Sequence, residues 1–193
     1  MKIIFKLILP LILATAFVSP SYPASTGIGG NSEWGNPSDG VQLSLSTSDP
    51  NASELQVAFR NVGNRDVMLN LGGMMANGKV QLPQGISIEF TDGQGKVRLF
   101  KFADKKHSSV GGRLDDYIVP LRVDSMYTLS VTLDQFWCPE TNEFKIPLTA
   151  GKNHLTAQFR GTGAHFINLD TPGIRLMNFW LGNVESNTVT IER

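Results

Sequence analysis

The chain has 193 residues, 41% of them hydrophobic, with 17 Lys and Arg against 17 Asp and Glu. That is enough to bury a sizeable core, and the balanced charge argues against nucleic acid or an anionic membrane surface as the main partner. Cys138 is the one cysteine, so no intrachain disulfide exists, and a buried small hydrophobe is its simplest role.

Lys2 and Lys6 flank the start of an apolar run, Leu7 to Val18, that gives way to Ser19-Pro-Ser-Tyr-Pro-Ala24. This is the order of a secretory signal peptide, predicted over residues 1–24 with cleavage between Ser21 and Ser25. A dozen helical residues span roughly 18 Å, well short of a ~30 Å hydrocarbon core, so no stable membrane span is expected after cleavage. The predicted destination is periplasmic or secreted. Residues 25–32 form a small, polar, flexible leader, and residues 33–193 are expected to be one domain.

From Glu33 onward the dominant signal is alternation of apolar and polar residues, the mark of half-buried strands. The alternating sets are Val41/Leu43/Leu45, Leu55/Val57/Phe59 and Val67/Leu69/Leu71. Ile86/Ile88/Phe90 and Val97/Leu99 flank Asp92-Gly-Gln-Gly95, which predicts a hairpin. Tyr127/Leu129/Val131/Leu133, Leu155/Ala157/Phe159, a mixed segment from Ile174 to Trp180, and Thr188–Ile191 follow. No window carries a helical apolar stripe, so helix is limited to one short turn. The expected fold is all-β, an immunoglobulin-like antiparallel β-sandwich of about eight or nine strands. Two loops stand out, Lys101–Arg113, basic and glycine-ended, and Phe136–Asn142, rich in bulky apolar residues.

Leu55-Gln-Val-Ala-Phe-Arg-Asn-Val-Gly63, with Val67-Met-Leu-Asn-Leu71, resembles the second and third strands of bacterial extracytoplasmic immunoglobulin-like modules, including the BsuPI-like proteinase-inhibitor group. Leu148–Ala157 is similar to their late strand pair, with His154 where an aromatic commonly stands; an imidazole there can donate the hydrogen bond of a tyrosine corner. The resemblance implies architecture, and fold does not carry function.

Chemistry is thinly supplied. His107, His154 and His165 stand far apart, none paired with another or with Cys138 at a metal-binding spacing, so no metal or cofactor is expected. The Gly-x-Ser-x-Gly nucleophile elbow is absent. Arg113 is the simplest partner for Asp115 or Asp116, which makes these three, with a core Trp180, structural residues. Candidate binding residues are the aromatics Trp34, Phe136 and Trp137, and the basic set Lys101, Lys105, Lys106, His107 and Arg113, suited to an acidic surface or polysaccharide. Asn51-Ala-Ser53 meets the glycan-acceptor rule, relevant only on a eukaryotic secretory route.

The expected function is that of an exported, non-catalytic binding or accessory module, contacting an extracytoplasmic protein through loops or a sheet edge. The alternative is carbohydrate binding by exposed aromatics, with Trp34 and Trp137 as the platform. A proteinase inhibitor or hydrolase ranks behind both.

Overall fold

Alternation decides which way each strand faces. Val41, Leu43 and Leu45 of β1 (Val41–Ser46) and Leu55, Val57 and Phe59 of β2 (Glu54–Asn61) are all buried. The computed structural model describes residues 33–47, 53–75, 78–103, 113–165 and 177–193. The predicted signal peptide and leader, together with Asn51, Lys105, Lys106, His107, Ile174 and Leu176, lie outside the described residues.

The remaining strands are β3 (Val67–Met75), β4 (Val80–Leu82), β5 (Ile86–Thr91), β6 (Val97–Phe102), β7 (Asp115–Leu121), β8 (Met126–Thr132), β9 (Phe136–Cys138), β10 (Glu143–Phe144), β11 (Lys152–Arg160) and β12 (Asn183–Glu192). Among the described residues the only helical element is a 3₁₀ turn at Leu133–Gln135, where the Gln135 side chain accepts from the Thr132 backbone N–H at 2.8 Å. None of the described helical segments is long and apolar enough to cross a membrane.

The strands form three antiparallel sheets, ordered β1-β2-β8, β4-β3-β7 and β10-β9-β6-β5-β11-β12. The chain runs from β2 into β3 and from β7 into β8, so the two smaller sheets are halves of one bent ribbon. With β1-β2-β8 on one side and β12-β11-β5-β6 on the other, the order is that of an immunoglobulin-like sandwich, A-B-E against G-F-C-C′. Phe59 meets Phe159 edge to face at 5.0 Å across the sandwich, and Phe159 stacks on Trp180 at 5.7 Å. The buried apolar residues make one continuous cluster.

Three buried asparagines secure the irregular points. At the bend of the ribbon, Asn61 donates to the carbonyls of Arg65 and Leu121 and accepts from the Gly63 N–H. Asn153 does the same for the turn before β11, donating to the Thr149 and Gly151 carbonyls and accepting from the Thr149 N–H. Asn70 sits at a β3 bulge that contains Gly72 at φ 141°, where a Cβ would lie 2.3 Å from the Leu82 carbonyl oxygen, so only glycine fits. A second bulge, in β12, turns Asn187 toward β1, where its amide donates to the Leu45 carbonyl and accepts from the Leu45 N–H, both at 2.9 Å.

The structure corrects several expectations. Val97 and Leu99 do not point inward: they are 56% and 36% exposed, while Arg98, Phe100 and Phe102 are buried. Both faces of β6 are apolar enough to serve, and Arg98 is tolerated inside because Glu143 at 2.6 Å and Asp92 at 3.4 Å neutralise it between the rings of Phe90 and Phe100. Phe136–Asn142 is not a loop throughout, since its first three residues form β9, which pairs with β6 and with β10 just beyond the segment at the edge of the six-stranded sheet. The strands β4 and β7 were not expected. β7 opens with two aspartates and contains Pro120, which its position at the edge of its sheet accommodates. Leu133 belongs to the 3₁₀ turn rather than to β8. His154 bonds sideways to the Thr190 hydroxyl at 3.0 Å on the neighbouring strand.

Candidate functional site

The outward residues of the six-stranded sheet come into register across every strand. Phe144 faces Trp137, Trp137 faces Lys101, Lys101 faces Ser87, Ser87 faces Gln158, and Gln158 faces Glu185. Directly paired residues lie on the same side of a sheet, so these six form one transverse row on the outer face. Five steps at a strand spacing of ~4.8 Å give it a length of roughly 24 Å.

One end of the row is aromatic. Trp137 and Phe144 stack at 6.1 Å with 28° between their planes; the indole N–H donates to Asn142 at 3.1 Å, and Phe144 is 43% exposed. Beside them the exposed Leu99 and Val97 extend the apolar surface along β6. The other end is polar. The Gln158 amide donates to Glu89 at 3.4 Å and Glu185 at 3.3 Å.

From Leu99 and Lys101 to the polar end runs a groove of about 900 Å³, lined along the row by Ser87, Gln158 and Glu185 and flanked by Asn70, Gly72, Arg160, Thr162 and His165. Its walls are fixed from below. The buried Asp116 accepts from the Asn70 amide at 2.7 Å and from the His165 backbone N–H at 2.9 Å, and Asn70 also donates to the Gly163 carbonyl at 2.7 Å. The segment 161–165 is thereby stapled to the β3 bulge. The His165 ring lies 2.9 Å from the Thr162 hydroxyl. Neither Lys101 nor Arg160, both exposed, has a side-chain partner among the described residues.

The other expected site residues are dispersed. Phe136 is fully buried, edge to face with Phe102 at 5.8 Å, which removes it as a binding residue: β9 alternates, and Phe136 and Trp137 point to opposite sides. Trp34 is half-buried, with the Arg60 guanidinium 4.3 Å above its ring, and Arg60 is itself held by Gln42 at 2.7 Å. It lies beside β12, at the opposite edge of the sheet from Trp137, so the two tryptophans share no platform. Arg113 pairs with Asp115 at 2.7 Å, while Asp116 points the other way into the groove's support. Trp180 is buried, and so is Cys138.

Sequence reasoning named Lys101 with the basic loop and missed Phe144, Ser87, Gln158, Arg160 and Glu185. Each is an ordinary outward residue of an alternating strand, and only the pairing register brings them together. Among the described residues no group of three or more His, Cys, Asp or Glu is placed to hold a metal ion. Comparison with known proteins gives no match to a family model, to a curated protein or to a solved structure.

Proposed function

We propose that this is an exported, non-catalytic binding module whose ligand lies across the outer face of the six-stranded sheet. The in-register row from Phe144 to Glu185 carries this reading: it is exposed at Phe144, Lys101 and Glu185 and half-buried between them, aromatic at one end, cationic in the middle and polar at the other. Val97, Leu99 and Phe144, three of the eight exposed large hydrophobics among the described residues, lie together on this one face. A cluster of that kind beside a groove of mixed polar and apolar lining fits binding better than catalysis. Export rests on the composition of residues 1–24, and the kinship with extracytoplasmic immunoglobulin-like modules rests on strand order together with the segments 55–71 and 148–157.

A second reading, protein binding by strand addition, is favoured by β8. Its outer side carries no partner strand among the described residues, and Met126 is 63% exposed. Replacing Ser87 or, separately, Ser130 with a photoreactive benzoylphenylalanine distinguishes the two in cells that export the protein. Adducts from position 87 and none from position 130 support the sheet face; the reverse pattern overturns it in favour of the β8 edge.

A further inference from the structure

We infer that the ligand is a linear heteropolysaccharide in which an acidic sugar stands next to neutral ones. This rests on the outer face being the binding surface. The first observation is direction. The row crosses the strands, and at Lys101, Ser87 and Gln158, where it crosses β6, β5 and β11, each strand has a partner on both sides. A peptide laid along the row gains no backbone ladder there, whereas a hydroxyl-rich chain needs only side-chain partners.

The second observation is the order of chemistry along the row. The Trp137 ring, steadied by Phe144 behind it and by Asn142 at its N–H, offers an apolar face to the C–H face of a sugar ring. One strand further in stands Lys101; Arg160, two residues past Gln158 on β11, lines the same groove, and so does Glu185. These two cations have no side-chain partner among the described residues, and a carboxylate in the groove would neutralise them. At the far end Glu185 opposes a second anion but accepts from hydroxyls, and the Gln158 amide donates. The row therefore selects a neutral ring at Trp137, an acidic ring over Ser87 of β5, between Lys101 of β6 and Arg160 of β11, and a neutral ring toward Glu185. A uniformly anionic chain would meet Glu185, and a uniformly neutral one would leave Lys101 and Arg160 unmatched.

The test is calorimetry of the full exported chain against three probes: a hyaluronan octasaccharide, which alternates acidic and neutral sugars, oligogalacturonate, which is all acidic, and cellohexaose, which is neutral. The octasaccharide is expected to bind tightest and to weaken as salt rises. Trp137→Ala and Lys101→Glu should each weaken it about tenfold or more, while Trp34→Ala leaves it unchanged. Lys101 is exposed, so Lys101→Glu should keep the wild-type unfolding midpoint, which separates lost binding from lost folding. Equal binding of cellohexaose with no effect of Lys101→Glu overturns the acidic sugar, as does preference for oligogalacturonate; loss of that binding in Trp137→Ala would still leave the sheet face standing. Binding of none of the three overturns the glycan inference, and the position-87 crosslink then decides the face independently.

Discussion

The two faces of the six-stranded sheet are built from the same alternating strands and do opposite work. The inner face is a closed set of rings and branched chains, with Phe90, Phe100, Phe136 and Phe159 almost wholly removed from water. The outer face keeps Trp137, Phe144, Leu99 and Val97 at least partly in solvent and mixes them with Lys101, Ser87, Gln158 and Glu185. The difference teaches that apolar character by itself does not mark a core position. What marks it is whether the opposite sheet covers it. Inner residues should therefore register in stability and outer ones in binding, and substitutions can break or sharpen that division.

The largest effect is expected at Phe159, which touches both Phe59 and Trp180. Phe159→Ala should cost about 3–5 kcal/mol of unfolding free energy, read from urea denaturation. A smaller but clear loss is expected for Asn153→Leu, on the order of 1–3 kcal/mol, because the Thr149 N–H and the Thr149 and Gly151 carbonyls lose their partner.

Third comes a pH effect on the hairpin turn. The backbone N–H of Lys96 holds the Asp92 carboxyl below its ordinary value; burial pushes the other way, and the Gln94 N–H and the Arg98 charge add to the lowering. A depressed carboxylate stabilises the fold above the ordinary aspartate range, near pH ~4, and that stabilisation disappears as pH falls through the folded value. Asp92→Asn should flatten the acid limb of the stability curve, and an unchanged limb would assign it to other groups. The smallest effect is expected for Leu99→Ser, within about 0.5 kcal/mol of wild type in the same urea assay. A loss of several kcal/mol there would mean that the outer face is covered after all.

Strand identity was legible in the sequence wherever only one side of the strand was apolar, as in β1, β2, β5 and β11. It was ambiguous in β6, where Val97-Arg-Leu-Phe-Lys-Phe102 offers two apolar faces and Arg98 argued for the wrong one. A guanidinium enters a core only with partners from elsewhere in the chain, here Asp92 and Glu143, and no local pattern announces them. β7 was hidden by its paired aspartates and by Pro120, features that only an edge position tolerates. Of the outer-face row, Trp137 and Lys101 were visible as types and their adjacency was not: Lys101 is 36 residues from Trp137 in sequence and Gln158 is 21, and register alone joins them.

Asn187 has a consequence for the molecule in company. Strands at sheet margins recruit strands from other molecules, the route by which sandwich proteins form fibrils. The side-chain amide of Asn187 offers Leu45 the same donor and acceptor that a peptide unit would, filling the rung by which a foreign strand could begin to pair along that seam. One amide side chain thus occupies that rung, and Asn187→Ala is expected to aggregate faster at high concentration, read by light scattering, with the strand content unchanged.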